Sequence, residues 1–301
     1  MLRMADTFTA VDLSRLPAPS IVEGLSFEAI YADMLEQLQL FVPDFDATVE
    51  SDPAVKLLQV AAYREMLIRA RVNDAARQVM VAFATGSNLD HLAALFGVTR
   101  LLITAADPEN DIAAVYESDD DLRSRVVIAP EALSVAGPEG AYIFHARSAD
   151  GDVLDASAIS PDPGDVLVTI LSRDDGGVAS AGLIATVAAY LSSETRRPMT
   201  DNVIVQSATI VPFVVTANIT TFSGPDSAIV LAASRARLDA YLARSNRLGR
   251  DVTRGGIIAA LGGVEGVQNV ILTAPAADIV LNRTQAGRCT AITITHGGVG
   301  E

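Results

Sequence analysis

Three histidines, His91, His145 and His296, and one cysteine, Cys289, are the residues in this chain best suited to proton transfer or nucleophilic attack. An imidazole beside a serine would activate a hydroxyl, and a thiolate beside an imidazole would attack a carbonyl. Neither arrangement has local support: His91 could pair with a serine and His145 lies near Asp150, but a nucleophile, a base and an orienting group do not assemble from the local sequence. Each reads more simply as a surface or hydrogen-bonded core residue. A nonlocal active site stays open at this level, since catalytic groups meet in the fold.

Three consecutive aspartates, Asp119 to Asp121, could suggest a metal site. They sit where a helix begins, however, and carboxylates there complement the helix dipole in any case. The spaced ligands of a calcium loop do not follow, so a solvated cap is the expectation. A single cysteine and three scattered histidines leave no zinc cluster. No phosphate-cradling Walker loop, GxSxG elbow or HExxH pair occurs, and DDGG at Asp174–Gly177 and the pair Gly255-Gly256 read as turns. Catalytic, cofactor and metal sites are therefore all expected to be absent.

The elements around these residues say more. The chain has 301 residues, half of them hydrophobic, with 37 acidic against 22 basic residues and a net charge of −15. That sign repels phosphate, so nucleic acid is a poor partner. No apolar run reaches the roughly 18 residues of a bilayer span. The first residues lack the pattern of a secretory signal, and folding in the cytoplasm is the expectation. Lys56 is the one lysine. The arginine bias suits fixed carboxylate pairing at interfaces, and a G+C-rich coding genome accounts for it equally well.

Residues 1–24, with Pro17, Pro19 and Gly24, read as an extended arm. Ser26 opens an amphipathic helix through Phe27, Ile30, Tyr31, Met34, Leu35, Leu38 and Phe41, closed by Pro43. Asp52 and Pro53 then start a second helix with no further Gly or Pro until Gly86, about 33 residues and roughly 50 Å of rod. Leu57, Ala61, Ile68, Val72, Ala75, Val79 and Ala82 form a stripe along it, and further apolar residues lie outside the stripe. A helix apolar over most of its circumference needs cover on more than one side, so these seven residues are the candidate subunit interface.

At FATGSNLDHLAALFGVTRLLI, Gly86 is expected to end that rod, Ser87 to cap the next helix and Asp90 to complete a box. Leu89, Leu92 and Ala93 face inward, and Gly97 stops the helix. A DNA-reading helix presents Arg, Lys, Asn or Gln to base edges. This one offers Asp90 and His91 between apolar residues, so the hairpin is a packing device. After the acidic stretch 104–121, helices are expected from Asp119 and over 139–146.

From Asp150 strands and helices alternate. The expected fold class is α+β: an N-terminal helical domain with one long central helix, followed by two small mixed modules of similar content, as an old duplication would leave. The expected boundaries are an arm over 1–24, a helical oligomerisation domain over 25–149, and modules over 150–211 and 212–301.

Five segments in order resemble the J-type baseplate proteins of contractile phage tails and related contractile injection particles. They are LPAPSIVEGLSFEAI; the hairpin running from DPAVKLLQ to LFGVTR; DLRSRVVIAPEALSVAGPEGAYIFHARSA; RRPMTDNVIV with VPFVVTANI; and GRDVTRGGIIAALGGVEGVQNVILTAP. Together they cover nearly the whole chain, while 104–121 matches no family pattern. The resemblance implies a structural subunit of the baseplate wedge, made in the host cytoplasm and located in the virion tail. It implies pairing with itself and with a second wedge protein, six wedges closing around a central hub, no membrane insertion and no nucleic acid. Packed helices or flexible joins between modules would then supply the shape change on firing. A baseplate-associated cell-wall hydrolase and a monomeric adaptor are the alternative classes.

Overall fold

The computed structural model describes residues 13, 16–17, 24–45, 49, 51–134, 136–224 and 226–300. Most of the expected N-terminal arm lies outside them. The chain divides into two compact units, 11–99 and a larger one containing 100–301.

The first unit is helical. Helix α1 spans Phe27–Phe41, and Ser26 caps it by accepting from the Ala29 N–H at 3.2 Å. Helix α2 spans Pro53–Gln78, with Asp52 accepting from the Ala54 N–H at 2.7 Å. At 26 residues α2 is shorter than the sequence reading, about 39 Å rather than 50 Å. Its end is fixed by a side chain. The Gln78 Oε1 accepts from the Thr85 N–H at 3.0 Å and from the Asn88 amide at 3.1 Å, folding 79–84 into a turn. Helix α3 spans Gly86–Ala94 and is preceded by Thr85, not Ser87, at the N-cap. Gly86 does adopt a left-handed φ of 53°, but inside the start of α3, and Gly97 at φ 69° ends that helix as expected.

The second unit begins with a two-stranded hairpin, β1 (Leu102–Thr104) and β2 (Val115–Tyr116). Helices α4 (Asp119–Ile128) and α5 (Glu139–Ala149) follow. Then come β3 (Val153–Ile159), β4 (Asp165–Ser172), α6 (Ala181–Leu191) and β5 (Asn202–Ser207), with strand order β3-β4-β5. Ile128, Tyr142, Ile143 and Ala146 share one buried core with Val153, Val168, Ile170, Val187 and Leu191. The helices over 119–149, read from sequence as part of the oligomerisation domain, are thus the covering layer of the first sheet. A three-stranded sheet cannot stay wet on a face this apolar, and α5 and α6 cover it, with α4 packed on α5.

The last elements are β6 (Thr209–Phe222), α7 (Ser227–Ser245), α8 (Arg254–Gly262), β7 (Val267–Ala274) and β8 (Gln285–Gly300). Their sheet runs β7-β6-β8, with β6 antiparallel to β7 and parallel to β8. Leu238, Ile257 and Leu261 pack on Val215, Ala217 and Ile219 beneath it.

The expected module boundary at 211/212 falls inside β6. Strands β5 and β6 form one extended run broken only at Ala208, where the chain leaves β4 and joins β8. The Ala208 N–H still donates to Ile170 O at 2.8 Å, and the Thr209 N–H to Thr284 O at 2.9 Å. Leu171, Ala208, Leu248 and Ala286 form a buried cluster at the crossing. Ser157 Oγ donates to Arg283 O at 2.6 Å, and the Leu248 N–H to Asp155 at 2.9 Å. The join between the two modules is therefore a welded crossing and not a flexible linker.

One glycine fixes the hairpin. A Cβ on Gly151 would stand 2.3 Å from the Leu102 carbonyl oxygen, so only hydrogen lets β1 lie against the α5–β3 turn. Gly151→Ala should push β1 away and destabilise the chain by about 1–3 kcal/mol. A urea titration reads the loss, and a wild-type midpoint would show that the turn yields freely.

Candidate functional site

The sequence-selected histidines and cysteine are not brought together. His91 is exposed on α3, His145 lies on α5, and His296 on β8 meets Thr221 Oγ1 at 3.1 Å. Cys289 lies on β8, and burial pushes its thiol up from the ordinary range, which lowers its reactivity. Among the described residues no group of three or more His, Cys, Asp or Glu side chains is placed to hold a metal ion. No described helix is long and apolar enough to cross a membrane.

His145 packs beside Phe144 and Tyr190, with ring centroids 5.5 and 6.4 Å away, and Arg196 lies 3.6 Å over the Tyr190 ring. Its buried Nδ1 has no hydrogen-bond partner among the described residues. Burial first, and the Arg196 charge second, hold the imidazole below its ordinary value. The sign follows from proton counting. Below about pH 6.5 the unfolded chain takes a proton that the folded chain resists, so stability is lost as pH falls. His145→Gln should flatten that loss between about pH 7 and 5 in stability measured against pH, and an unchanged slope would count against it.

The aspartate run is not the solvated cap that its local sequence suggests. Ser118 is the N-cap, accepting from the Asp121 N–H at 3.1 Å. Asp120 pairs with Arg123 at the surface, while Asp119 takes Arg100 at 2.6 Å. Asp121 is buried and bridges Arg173 at 2.9 Å and Arg247 at 3.3 Å. Beside it Arg125 and Glu117 form a buried pair, and Arg147 donates to Ser124 at 2.6 Å. Arg283 donates to both oxygens of Glu139, at 2.7 and 2.9 Å. These side chains tie α4 and α5 to β4, to the α7–α8 connection and to the start of β8. They are structural clamps, with each acid facing an arginine.

The helical unit is the opposite case: its polar groups are ordinary and its apolar groups are unmatched. Of the candidate interface residues, Leu57, Ala61, Ile68, Val72, Ala75 and Val79 are exposed and Ala82 is half-buried. Leu57, Ile68 and Val79 expose 71%, 63% and 70% of their surface. Val60, Tyr63 and Leu67 widen the face, and Leu40, Phe41, Leu95 and Phe96 are exposed on α1 and just after α3. The described buried apolar residues here are Ile30, Val55, Ala62, Ala84, Leu89, Ala93 and Val98, most of them small. In the hairpin, Leu89 and Ala93 are buried, Leu92 and Asp90 half-buried, and Gly86, Ser87 and Gly97 exposed. Val55 and Ala62 lie on the covered side of α2, so the selected stripe is the side left uncovered. Covering a side chain of this size stabilises by about 1.5–3 kcal/mol, and apolar patches this extensive mark binding surfaces.

Family models match three stretches: the Baseplate J-like N-terminal domain over 50–107, the Baseplate J-like central domain over 134–207 and the Baseplate J-like protein C-terminal domain over 213–295. Baseplate protein J of Escherichia phage P2 is 48% identical over 300 residues, covering 97% of this chain and 99% of that protein. A chain from the cryo-EM structure of the anti-feeding prophage baseplate, 6-fold symmetrised, aligns with a TM-score of 0.38 and 14% identity. That alignment covers 62% of this chain and 47% of the other, so this chain spans about half its length.

Proposed function

The chain belongs to the baseplate J-like protein family, and from that membership we propose that it is a structural subunit of a phage tail baseplate, acting by contact and not by turnover. After synthesis in the host cytoplasm it resides in the virion tail. Two copies pair through the uncovered face of α2, a second wedge protein covers the rest of the helical unit, and six wedges close around the hub.

The observation that carries this reading is the helical unit's poverty of core. It buries few large side chains and exposes Leu57, Val60, Ile68 and Val72 along one helix and Val79 just past its end. An exposed apolar face of this extent marks a surface that another chain covers. The second unit supports the reading differently, since its welded crossing and internal clamps suit an element that bears load between neighbours.

Mass measurement of the complex formed on co-expression with the neighbouring tail proteins tests the proposal. A complex containing two copies of this chain and at least one partner is expected. A monomer indifferent to every tail protein, or peptidoglycan release by the purified chain in a zymogram, would overturn it.

A further inference from the structure

We propose that the outer edge of β8 is a second self-association site, which takes the β1–β2 hairpin of another copy as an added strand. This deepens the baseplate reading and rests on it for the premise that copies of the chain meet.

The receiving side is an open sheet edge beside a helix. Among the described residues β8 pairs with β6 along one side, and on the other makes only the isolated bridge Leu248–Ala286 at its start. The free edge carries Cys289-Thr-Ala-Ile-Thr-Ile-Thr295, with none of the lysines or prolines that blunt unprotected edges. Helix α7 stands along it. Leu231, Ala232 and Arg235 face Ile292, Thr293 and Ile294 across a groove of about 420 Å³. Ile292 also lines a second hollow of about 330 Å³, which continues past Asp239 to Arg288 and Arg173. A strand edge walled by a helix is the geometry in which extended segments dock: backbone hydrogen bonds give affinity and alternate side chains fill the groove. Arg288 is exposed, and its guanidinium has no ion-pair or hydrogen-bond partner among the described residues.

The chain itself contains a segment of complementary character. The β1–β2 hairpin has two strands, each paired among the described residues only with the other, and exposes Leu102, Ile112, Val115 and Tyr116. Glu109 and Asp111 are exposed at its turn and pair with no arginine among the described residues, whereas Glu117 and Asp119 to Asp121 beyond it already face arginines of their own chain. Residues 212–301 hold eight arginines against six acidic residues, a net of +2, so the remainder of the chain carries −17 of the total −15. In the groove Arg235 is already paired with Asp239 and Arg173 with Asp121, which leaves Arg288 to meet the carboxylates of the hairpin turn, while the apolar side chains of hairpin and groove make the rest of a head-to-tail contact between copies. Such a contact closes a ring when the rotation per copy divides a full turn.

The test uses the full chain with Cys289→Ser, and with Ile68→Asp and Val72→Asp to silence the α2 face. A Thr293→Cys protein is mixed with a Val115→Cys protein under mild oxidation. The expected result is a mixed disulfide dimer at least tenfold above that formed with a Thr195→Cys control, falling at least tenfold when Arg288→Glu is added. A yield equal to the control, or one indifferent to Arg288→Glu, would overturn the proposal. Because the α2 face is silenced throughout, failure here leaves the α2 reading standing. Cross-linking that persists while the Ile68/Val72 variant still assembles into normal complexes would sink the α2 reading and spare this one.

Discussion

Chains carrying both Ile68→Asp and Val72→Asp are expected to fold and to fail in assembly. The two positions are four apart on α2 and stack on one face. They expose 63% and 48% of their surface, so in the free chain both new carboxylates stand in water. The cost to the isolated helix is the difference in intrinsic propensity, a few tenths of a kcal/mol per site. In an assembly that covers the face, each carboxylate is desolvated without a partner at a cost of several kcal/mol. Two such charges lower the association constant by at least about a thousandfold, at 1.4 kcal/mol per factor of ten. Light scattering and co-purification with the partner chains read the loss, and far-UV circular dichroism checks that the helices persist. Ala62→Asp is the control for the buried side of the same helix, where a carboxylate should unfold the hairpin itself. Wild-type assembly by the Ile68/Val72 variant would remove the α2 face from the account.

The candidate surface was legible in the sequence because an excess of apolar residues on one helix is a local property. Spacing alone picks out the stripe at Leu57, Ala61, Ile68, Val72, Ala75 and Val79, and those residues are exposed, as are Val60, Tyr63 and Leu67 outside it. Helices α1, α6 and α7 were equally legible, since Ser26, Ser180 and Asp226 announce their starts by capping nearby N–H groups. The end of α2 was not. No glycine or proline marks residue 79, and the signal is a glutamine amide bonded to Thr85 and Asn88. Long-range pairing hid the rest. Asp121 looks like a helix-capping acid until Arg173 and Arg247 arrive from distant parts of the chain. Residues 119–149 read as more of the helical domain because periodicity reports that a helix has an apolar side and is silent on what covers it. The same silence placed the module boundary at 211/212. A strand that changes sheets at Ala208 has the alternation of two separate strands, and only its partners, β4 and then β8, reveal the crossing.

The clamps that sequence reading missed are also where the largest loss of stability is expected. Arg125 and Glu117 expose 3% and 2% of their side chains. Arg125 Nε donates to Glu117 Oε2 at 3.1 Å, its guanidinium reaches Ser148 Oγ at 3.1 Å, and Glu117 Oε1 also accepts from the Leu101 N–H at 3.0 Å. Through this one carboxylate α4, α5 and the strand leading into the hairpin are held together. Arg125→Ala would leave the Glu117 carboxylate buried without its countercharge, at a cost of about 3–5 kcal/mol. Against a total stability of roughly 5–15 kcal/mol, that brings the second unit close to its unfolding threshold. The double variant Arg125→Met with Glu117→Leu separates two meanings of that number. Burying the pair already carries a desolvation cost, and replacing both partners by apolar side chains of similar volume removes the unmatched charge. The double variant should therefore recover most of what the single one loses. Urea unfolding of the three proteins measures the difference. Equal loss in the single and double variants would mean that the pair stabilises the fold directly, and a single variant within about 1 kcal/mol of wild type would mean that water reaches the site.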